Sequence, residues 1–447
     1  MTNLVENNHH RLADGKFLVE GVRRAALYDT VDGNVYSLNQ EAADVIKRRD
    51  NNQEFWLRLS SMGLALTQQN FKSPPESTAT ETEIPKPSLQ FAWLEITDQC
   101  NERCLHCYGS FSPGKKDKVA EPLRFNEWKR VINSLAINDC SELQFIGGEP
   151  FMFRGESRTQ TVIDLAEYAK TVGVDFIEIF TNGTMMPQES IKRIKDIGAQ
   201  IALSIYSSDP GIHDSITQSP GSFKKTLKTV NALLEADIPV RASLIIMKQN
   251  EDTVEQTLEM IKKLGLNIRP PDVVRPSGRA QEINIAPDIK TLLKYGLVTE
   301  PNFSTDQVSF HRNHLYNPCL AGKIAITTDG KVIPCIFSRN ETLGNIKDQE
   351  LEQILQSTEL KNTWQLTKDN VLVCKDCEYR YACFDCRPLA ADSSCGRNYT
   401  NAPSPRCTYN PYSGEWGSGI WRMNNHGEVI YDKLPIQINK GKGGETP

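Results

Sequence analysis

Cys100, Cys104 and Cys107 lie in the run Thr97-Asp-Gln-Cys-Asn-Glu-Arg-Cys-Leu-His-Cys-Tyr108, directly after the apolar stretch Phe91–Ile96. The spacing is CxxxCxxC. Three thiolates on one loop can hold three corners of a cubane [4Fe–4S] cluster, because thiolates are soft ligands that suit iron–sulfur centres. The fourth iron then has no protein ligand. An open iron can bind and reduce a small molecule, which a fully ligated electron-transfer cluster cannot do. A zinc knuckle is the competing reading. Zinc wants a fourth ligand, and the run lacks the paired CxxC…CxxC or CxxC…HxxxH spacing.

Eight more cysteines fall between Cys319 and Cys407, and residues 1–99 contain none. Cys319 is followed by Gly330 and Cys335, then by Cys374-Lys-Asp-Cys377, Cys383-Phe-Asp-Cys386, Cys395 and Cys407. Eight thiolates are enough for two further clusters with four ligands each. On spacing alone two zinc sites remain open, since CxxC pairs suit zinc well. Cys140 stands apart and reads as a small buried side chain.

Other residues complete the inventory. Phe145-Ile-Gly-Gly-Glu-Pro150 closes an apolar run. There Gly147 and Gly148 let the backbone approach a ligand, Glu149 offers a carboxylate, and Pro150 stiffens the turn. Thr181 and Asn182 end the next strand, and Ser204 ends the one after. Arg241 and Ser243 lie on a fifth strand as cofactor contacts or plain structural polar residues. Arg275 and Arg279, in Arg-Pro-Ser-Gly-Arg, pair with a carboxylate or lie at the surface. His311 and His314 form an HxxH that reads as a loop with two solvated histidines rather than as metal ligands.

These residues need a scaffold. From Leu89 to about Ala280 strands and helices alternate, with strands expected at Phe91–Ile96, Leu143–Ile146, Phe176–Phe180, Gln200–Ile205 and Arg241–Met247. The intervening segments carry apolar residues at helical spacing, as in Trp128, Val131, Ile132 and Leu135. Repeated βα units imply a parallel sheet. Five or six units cannot complete an eight-stranded barrel, and the cysteine loop falls at the C-terminal mouth, where barrels place their chemistry. Upstream, residues 10–70 read as short strands with a turn at Asp32-Gly33, then a helix Gln40–Arg48 capped by Asn39, then a second helix stopped by Gly63. The segment from Lys72 to Ser88 is rich in proline, acids and hydroxyls and reads as a linker. Ile324–Ile333 reads as a hairpin with Asp329-Gly330 at its tip, holding Cys335 against Cys319.

Across 447 residues, 39% are hydrophobic, 24% are charged and the net charge is −5. Such a balance predicts no nucleic-acid partner and no membrane association. The absence of a secretory pattern and the wealth of cysteines predict a cytoplasmic protein whose thiols bind metal.

CxxxCxxC with an aromatic ring, His106, before its last cysteine resembles the radical S-adenosylmethionine signature, and Gly147–Pro150 resembles that family's GGEP motif. The resemblance implies an α/β fold, a partial (β/α)6 barrel. It implies S-adenosylmethionine on the open iron, contacted by Gly147, Gly148, Glu149, Pro150, Thr181, Asn182 and Ser204. The later cysteines resemble a SPASM domain with two auxiliary [4Fe–4S] clusters. By family interleaving Cys319, Cys335 and Cys386 serve the nearer cluster, while Cys374, Cys377, Cys383 and Cys407 serve the farther one. Cys395 either completes the nearer cluster or leaves it an open iron. One departure is that two residues separate Cys383 and Cys386 in place of three. The expected domains are a winged-helix-like leader-peptide recognition domain at 1–70, a linker at 71–88, the barrel at 89–300, SPASM at 301–410 and a tail at 411–447. The function implied is a maturase that takes hydrogen from a ribosomally made precursor peptide through a 5′-deoxyadenosyl radical and installs a thioether, C–C or C–O crosslink. Flavodoxin or ferredoxin would supply electrons. The alternatives are a radical enzyme oxidising a protein side chain, as sulfatase maturases do, and a non-catalytic zinc scaffold.

Overall fold

The computed structural model describes residues 10–67, 84–114, 121–281, 284–299, 303–394 and 399–434. Most of the expected linker, the end of the tail, and Cys395 lie outside the described residues. The chain forms two compact units, one of 1–86, 298–319 and 365–447, the other of 87–297 and 320–364. These units regroup the expected segments. The N-terminal module and most of the cysteine field belong to one unit, and residues 320–364 belong to the barrel unit.

In the first unit, β1 (His10–Leu12) pairs antiparallel with β5 (Ala65–Thr67), and β2 (Lys16–Glu20), β3 (Ala25–Asp29) and β4 (Asn34–Leu38) form an antiparallel sheet in that order. Gly33 turns the chain between β3 and β4 with φ +81°, a left-handed conformation that glycine adopts without strain. Two helices follow, α1 (Gln40–Arg48) and α2 (Gln53–Ser61), and the side chains of Asn39 and Asn52 cap them by accepting from Ala42 N and Phe55 N. Every residue of β3 is buried because the strand serves two cores. Leu27 packs with Ile46, Trp56, Leu59 and Leu64. Ala26 and Tyr28 pack with Phe310, Tyr379, Tyr381 and Tyr409. Alternation along one strand thus joins the N-terminal sheet to the cysteine-bearing C-terminal segments.

His311 and His314 lie on the helix Gln307–Leu315, not on a loop. The His311 ring is half-buried and packs against Phe17 at 5.1 Å, whereas the His314 ring lies 4.7 Å from Tyr381 and stays exposed to solvent, as expected.

The second unit is built on parallel strands β6 (Phe91–Thr97), β7 (Glu142–Gly147), β8 (Phe176–Thr181), β9 (Gln200–Ser204) and β10 (Val240–Ser243), which lie side by side in chain order. Helices α3 (Phe125–Ile137), α4 (Val162–Thr171), α5 (Ser190–Ile197), α6 (Pro210–Thr217), α7 (Ser222–Glu235) and α8 (Val254–Lys263) fill the crossovers. A short β11 (Ile245–Ile246) continues β10. The segments β12 (Asn267–Ile268) and β13 (Asp272–Val273) pair parallel with β10 and β11. Helix α3 buries Trp128, Val131, Ile132 and Leu135, as their spacing requires. Each such side chain is worth about 1.5–3 kcal/mol when fully buried.

The hairpin is where expected, and it joins the larger sheet. β14 (Lys323–Ile326) pairs parallel with β6, placing Lys323 opposite Phe91. β15 (Lys331–Ile333) and β16 (Gly344–Asn345) then extend the same sheet. The hairpin therefore continues the barrel sheet, with Cys335 just beyond β15.

Candidate functional site

The cysteine loop leaves the C-terminal end of β6, and four sets of bonds fix it. The first comes from the glycine pair. Gly148 N donates to Thr97 O and Glu149 N to Gln99 O, both at 2.7 Å. A Cβ on Gly147 would stand 2.2 Å from Thr97 O, and one on Gly148 would stand 2.1 Å from Gln99 O. The close approach that demands glycine here is thus to the chain's own backbone just before Cys100.

The second is Glu149, whose carboxylate is fully buried. Oε1 accepts from Phe151 N at 3.0 Å and Thr181 Oγ1 at 2.7 Å, and Oε2 accepts from Asn182 N at 2.8 Å. Glu149 therefore clamps the end of β8 to the end of β7. Pro150 opens the short turn that follows. Asn182 Nδ2 donates to Asn101 Oδ1 at 2.9 Å, and Asn101 Nδ2 donates to Thr184 Oγ1 at 2.8 Å, tying the cysteine loop to the β8 turn. Asn101 escaped the sequence reading; the only signal was its place beside Cys100.

The third is Arg279. It neither meets a carboxylate nor lies free at the surface. Its guanidinium donates to Cys104 O and, at 2.7 Å, to Phe111 O, while its backbone N donates to Cys107 O at 3.0 Å. On the far side, Arg103 N and Leu105 N donate to Thr217 O and Ile216 O at the end of α6.

Burial pushes the Cys100 thiol up to about 12, against the pull of the Glu102 backbone N–H, and it raises Cys104 and Cys107 as well. Cys107 adds to the rise at Cys100, and Cys107 and Cys100 add to the rise at Cys104. Glu102 N and Phe111 N point at the Cys100 and Cys107 sulfurs at 3.4 and 3.3 Å. Such N–H···S contacts favour thiolate, and bound iron would complete the deprotonation that burial opposes. This all-sulfur donor set fits an iron–sulfur cluster. Burial lowers His106 to about 4, with Arg279 adding to the effect, so its ring is neutral beside Tyr206 at 4.8 Å. Burial raises the neighbouring Glu102 carboxyl to about 8.

The strands also carry a polar layer on the face opposite the helices. Glu178 accepts from Arg241 at 2.9 and 2.7 Å, from Gln200 at 2.7 Å and from Gln144. Arg241 is thus committed to Glu178. Ser204 and Ser243 are register partners on β9 and β10, one step nearer the mouth on that same face.

In the first unit, Cys374, Cys377, Cys383 and Cys407 lie within electrostatic reach of one another. Tyr379 N points at the Cys377 sulfur at 3.4 Å, and burial pushes the Cys407 thiol up to about 12. Among the described residues no three His, Cys, Asp or Glu side chains sit close enough to share a single metal ion. Cys386 starts the helix Arg387–Asp392. Cys140 is buried, as its isolation suggested.

Residues 94–261 match the Radical SAM superfamily, and residues 319–378 match the SPASM iron–sulfur cluster-binding domain. The chain is similar to the AdoMet-dependent heme synthase of Methanosarcina barkeri, with 26% identity over 72% of this chain and 96% of that one. It is also similar to the antilisterial bacteriocin subtilosin biosynthesis protein AlbA of Bacillus subtilis, with 27% identity over 65% of this chain and 64% of AlbA. Among solved structures, Streptococcus suis SuiB bound to S-adenosylmethionine shares the fold at TM-score 0.52 and 13% identity, covering 85% of this chain and 96% of SuiB.

Proposed function

The chain is a radical S-adenosylmethionine enzyme with a SPASM domain, dependent on S-adenosylmethionine and [4Fe–4S] clusters, and from that premise we propose that it matures a ribosomally made precursor peptide by installing an intramolecular crosslink. When bound, cluster and S-adenosylmethionine supply a 5′-deoxyadenosyl radical able to take hydrogen from carbon. The chain's own residues hold and orient. Cys100, Cys104 and Cys107 carry the cluster on a loop that Glu149, Asn101 and Arg279 keep rigid. Gly147, Gly148, Pro150, Thr181, Asn182 and Ser204 would lie against the cofactor, with buried Glu149 holding the strand ends beneath them. The cysteines from Cys319 to Cys407 would hold auxiliary clusters, which would supply an acceptor for the electron left when the bond forms.

The observation that carries this reading is the three-thiol loop locked at the mouth of a parallel sheet. Support for a peptide substrate comes from the likeness to AlbA, which is named for bacteriocin biosynthesis. It also comes from β2, an edge strand of the N-terminal sheet that can take an extended leader as an added strand. In the cytoplasm, flavodoxin or ferredoxin would donate electrons. A second reading follows from the heme synthase, which this chain matches over nearly its whole length. It makes a tetrapyrrole the substrate and leaves the N-terminal sheet without a role.

The test is anaerobic co-expression with any short open reading frame found beside this gene, followed by mass spectrometry. Loss of two hydrogens per link, together with 5′-deoxyadenosine, is the expected result. An unchanged peptide and conversion of a tetrapyrrole instead would overturn it.

A further inference from the structure

Three charged side chains in the cysteine field have no part in the reading above. Lys368, Asp385 and Arg387 are buried, with side-chain exposures of 6, 6 and 2%. Asp385 accepts from Lys368 on one oxygen and from Arg387 on the other, and Arg387 Nε also reaches Oδ1 at 3.2 Å. Arg387 Nη1 donates further to Ala402 O at 2.7 Å and Thr400 O at 3.3 Å. Two cations and one carboxylate leave a net charge of +1 away from water. A buried excess charge is costly unless an opposite charge lies near.

The neighbours supply that opposite charge. Lys368 acts electrostatically on Cys383 and Cys407, and Arg387 on Cys374, Cys383 and Cys319. A neutral thiol would offer no compensation, whereas a thiolate-bound cluster does. The guanidinium keeps its charge in such a setting.

We propose that Lys368 and Arg387, aligned by Asp385, hold a fixed positive charge against the auxiliary cluster on Cys374, Cys377, Cys383 and Cys407 and raise its reduction potential. Reduction adds one negative charge to the cluster. A fixed cation at low dielectric favours the reduced form, and net charge and hydrogen bonds to sulfur are known levers on cluster potential. The Tyr379 N–H on Cys377 acts in the same direction. The cluster thereby becomes a ready acceptor for the electron released in bond formation. Lys368, Asp385 and Arg387 are positioning and tuning residues and touch no substrate.

The inference rests on the cluster assignment, and its test separates the two. In full-length protein carrying Cys100→Ala, Cys104→Ala and Cys107→Ala, only auxiliary signals remain for a redox titration followed by electron paramagnetic resonance. Lys368→Met is expected to move one auxiliary midpoint to more negative potential. Lys368→Arg should leave it in place, and Asp385→Asn should move it to more positive potential, all with unchanged iron content. Midpoints that stay fixed in both Lys368→Met and Asp385→Asn, or that move the same way in both, overturn the inference. Iron-free, colourless protein would overturn the cluster reading beneath it.

Discussion

Glu149 shows how much one carboxylate can organise. The GGEP string marks it as a ligand contact, yet its oxygens are taken up by Phe151 N, Thr181 Oγ1 and Asn182 N. Its work is to hold two strand ends at fixed separation beneath the cysteine loop. Glu149→Gln keeps the shape but offers one acceptor oxygen, and its amide would face at least one donor with another donor. A buried donor left unpaired costs about 1–3 kcal/mol. The variant should show a lower urea midpoint and weaker S-adenosylmethionine binding by calorimetry. Wild-type values for both would mean that the clamp does not matter.

At the scale of elements, the glycine pair joins β7 to the cysteine loop. Gly148→Ala would drive its Cβ to 2.1 Å from Gln99 O, backbone that cannot yield without moving Cys100. The expected outcome is loss of about 4 irons per chain, the content of one cubane, with the auxiliary signals intact; full iron loading would refute it. Much of this architecture was legible beforehand. Trp128, Val131, Ile132 and Leu135 announced a helix, Asn39 announced a cap, and Asp329-Gly330 announced a hairpin, because period and turn chemistry are local properties. The partner of that hairpin was not legible. Lys323 lies opposite Phe91, and nothing in either short apolar run specifies a pairing so distant in sequence. The polar layer of Gln144, Glu178, Gln200 and Arg241 was hidden for a related reason. Polar residues at period two read as a solvent face, and only closure around Glu178 makes them interior. His311 and His314 were misplaced on a loop because a short helix among polar residues shows little apolar stripe, and rings from remote segments stabilise it.

At the scale of the molecule, chain order and structural unit do not coincide. An N-terminal module read as a separable domain shares a core with residues 298–319 and 365–434. Tyr28 sits among Phe310, Tyr379, Tyr381 and Tyr409, and its hydroxyl donates to Glu378 O at 2.9 Å. Deleting residues 1–67 would expose that core. The truncated protein should lose auxiliary iron and bind an apolar dye, both measurable on anaerobic preparations. A truncated chain that keeps its full auxiliary iron would show the module to be an independent appendage.

Val22 N donates to Asp376 O at 2.9 Å, and the Arg380 guanidinium donates to Glu20 O at 2.8 Å, so the chain leaving β2 is stitched to the segment that carries Cys374 and Cys377. For anyone building hybrids of such proteins, this defines the transplantable cassette. A graft of the first 67 residues alone cuts through those stitches, whereas one that carries residues 298–319 and 365–434 along with them moves the whole folded piece.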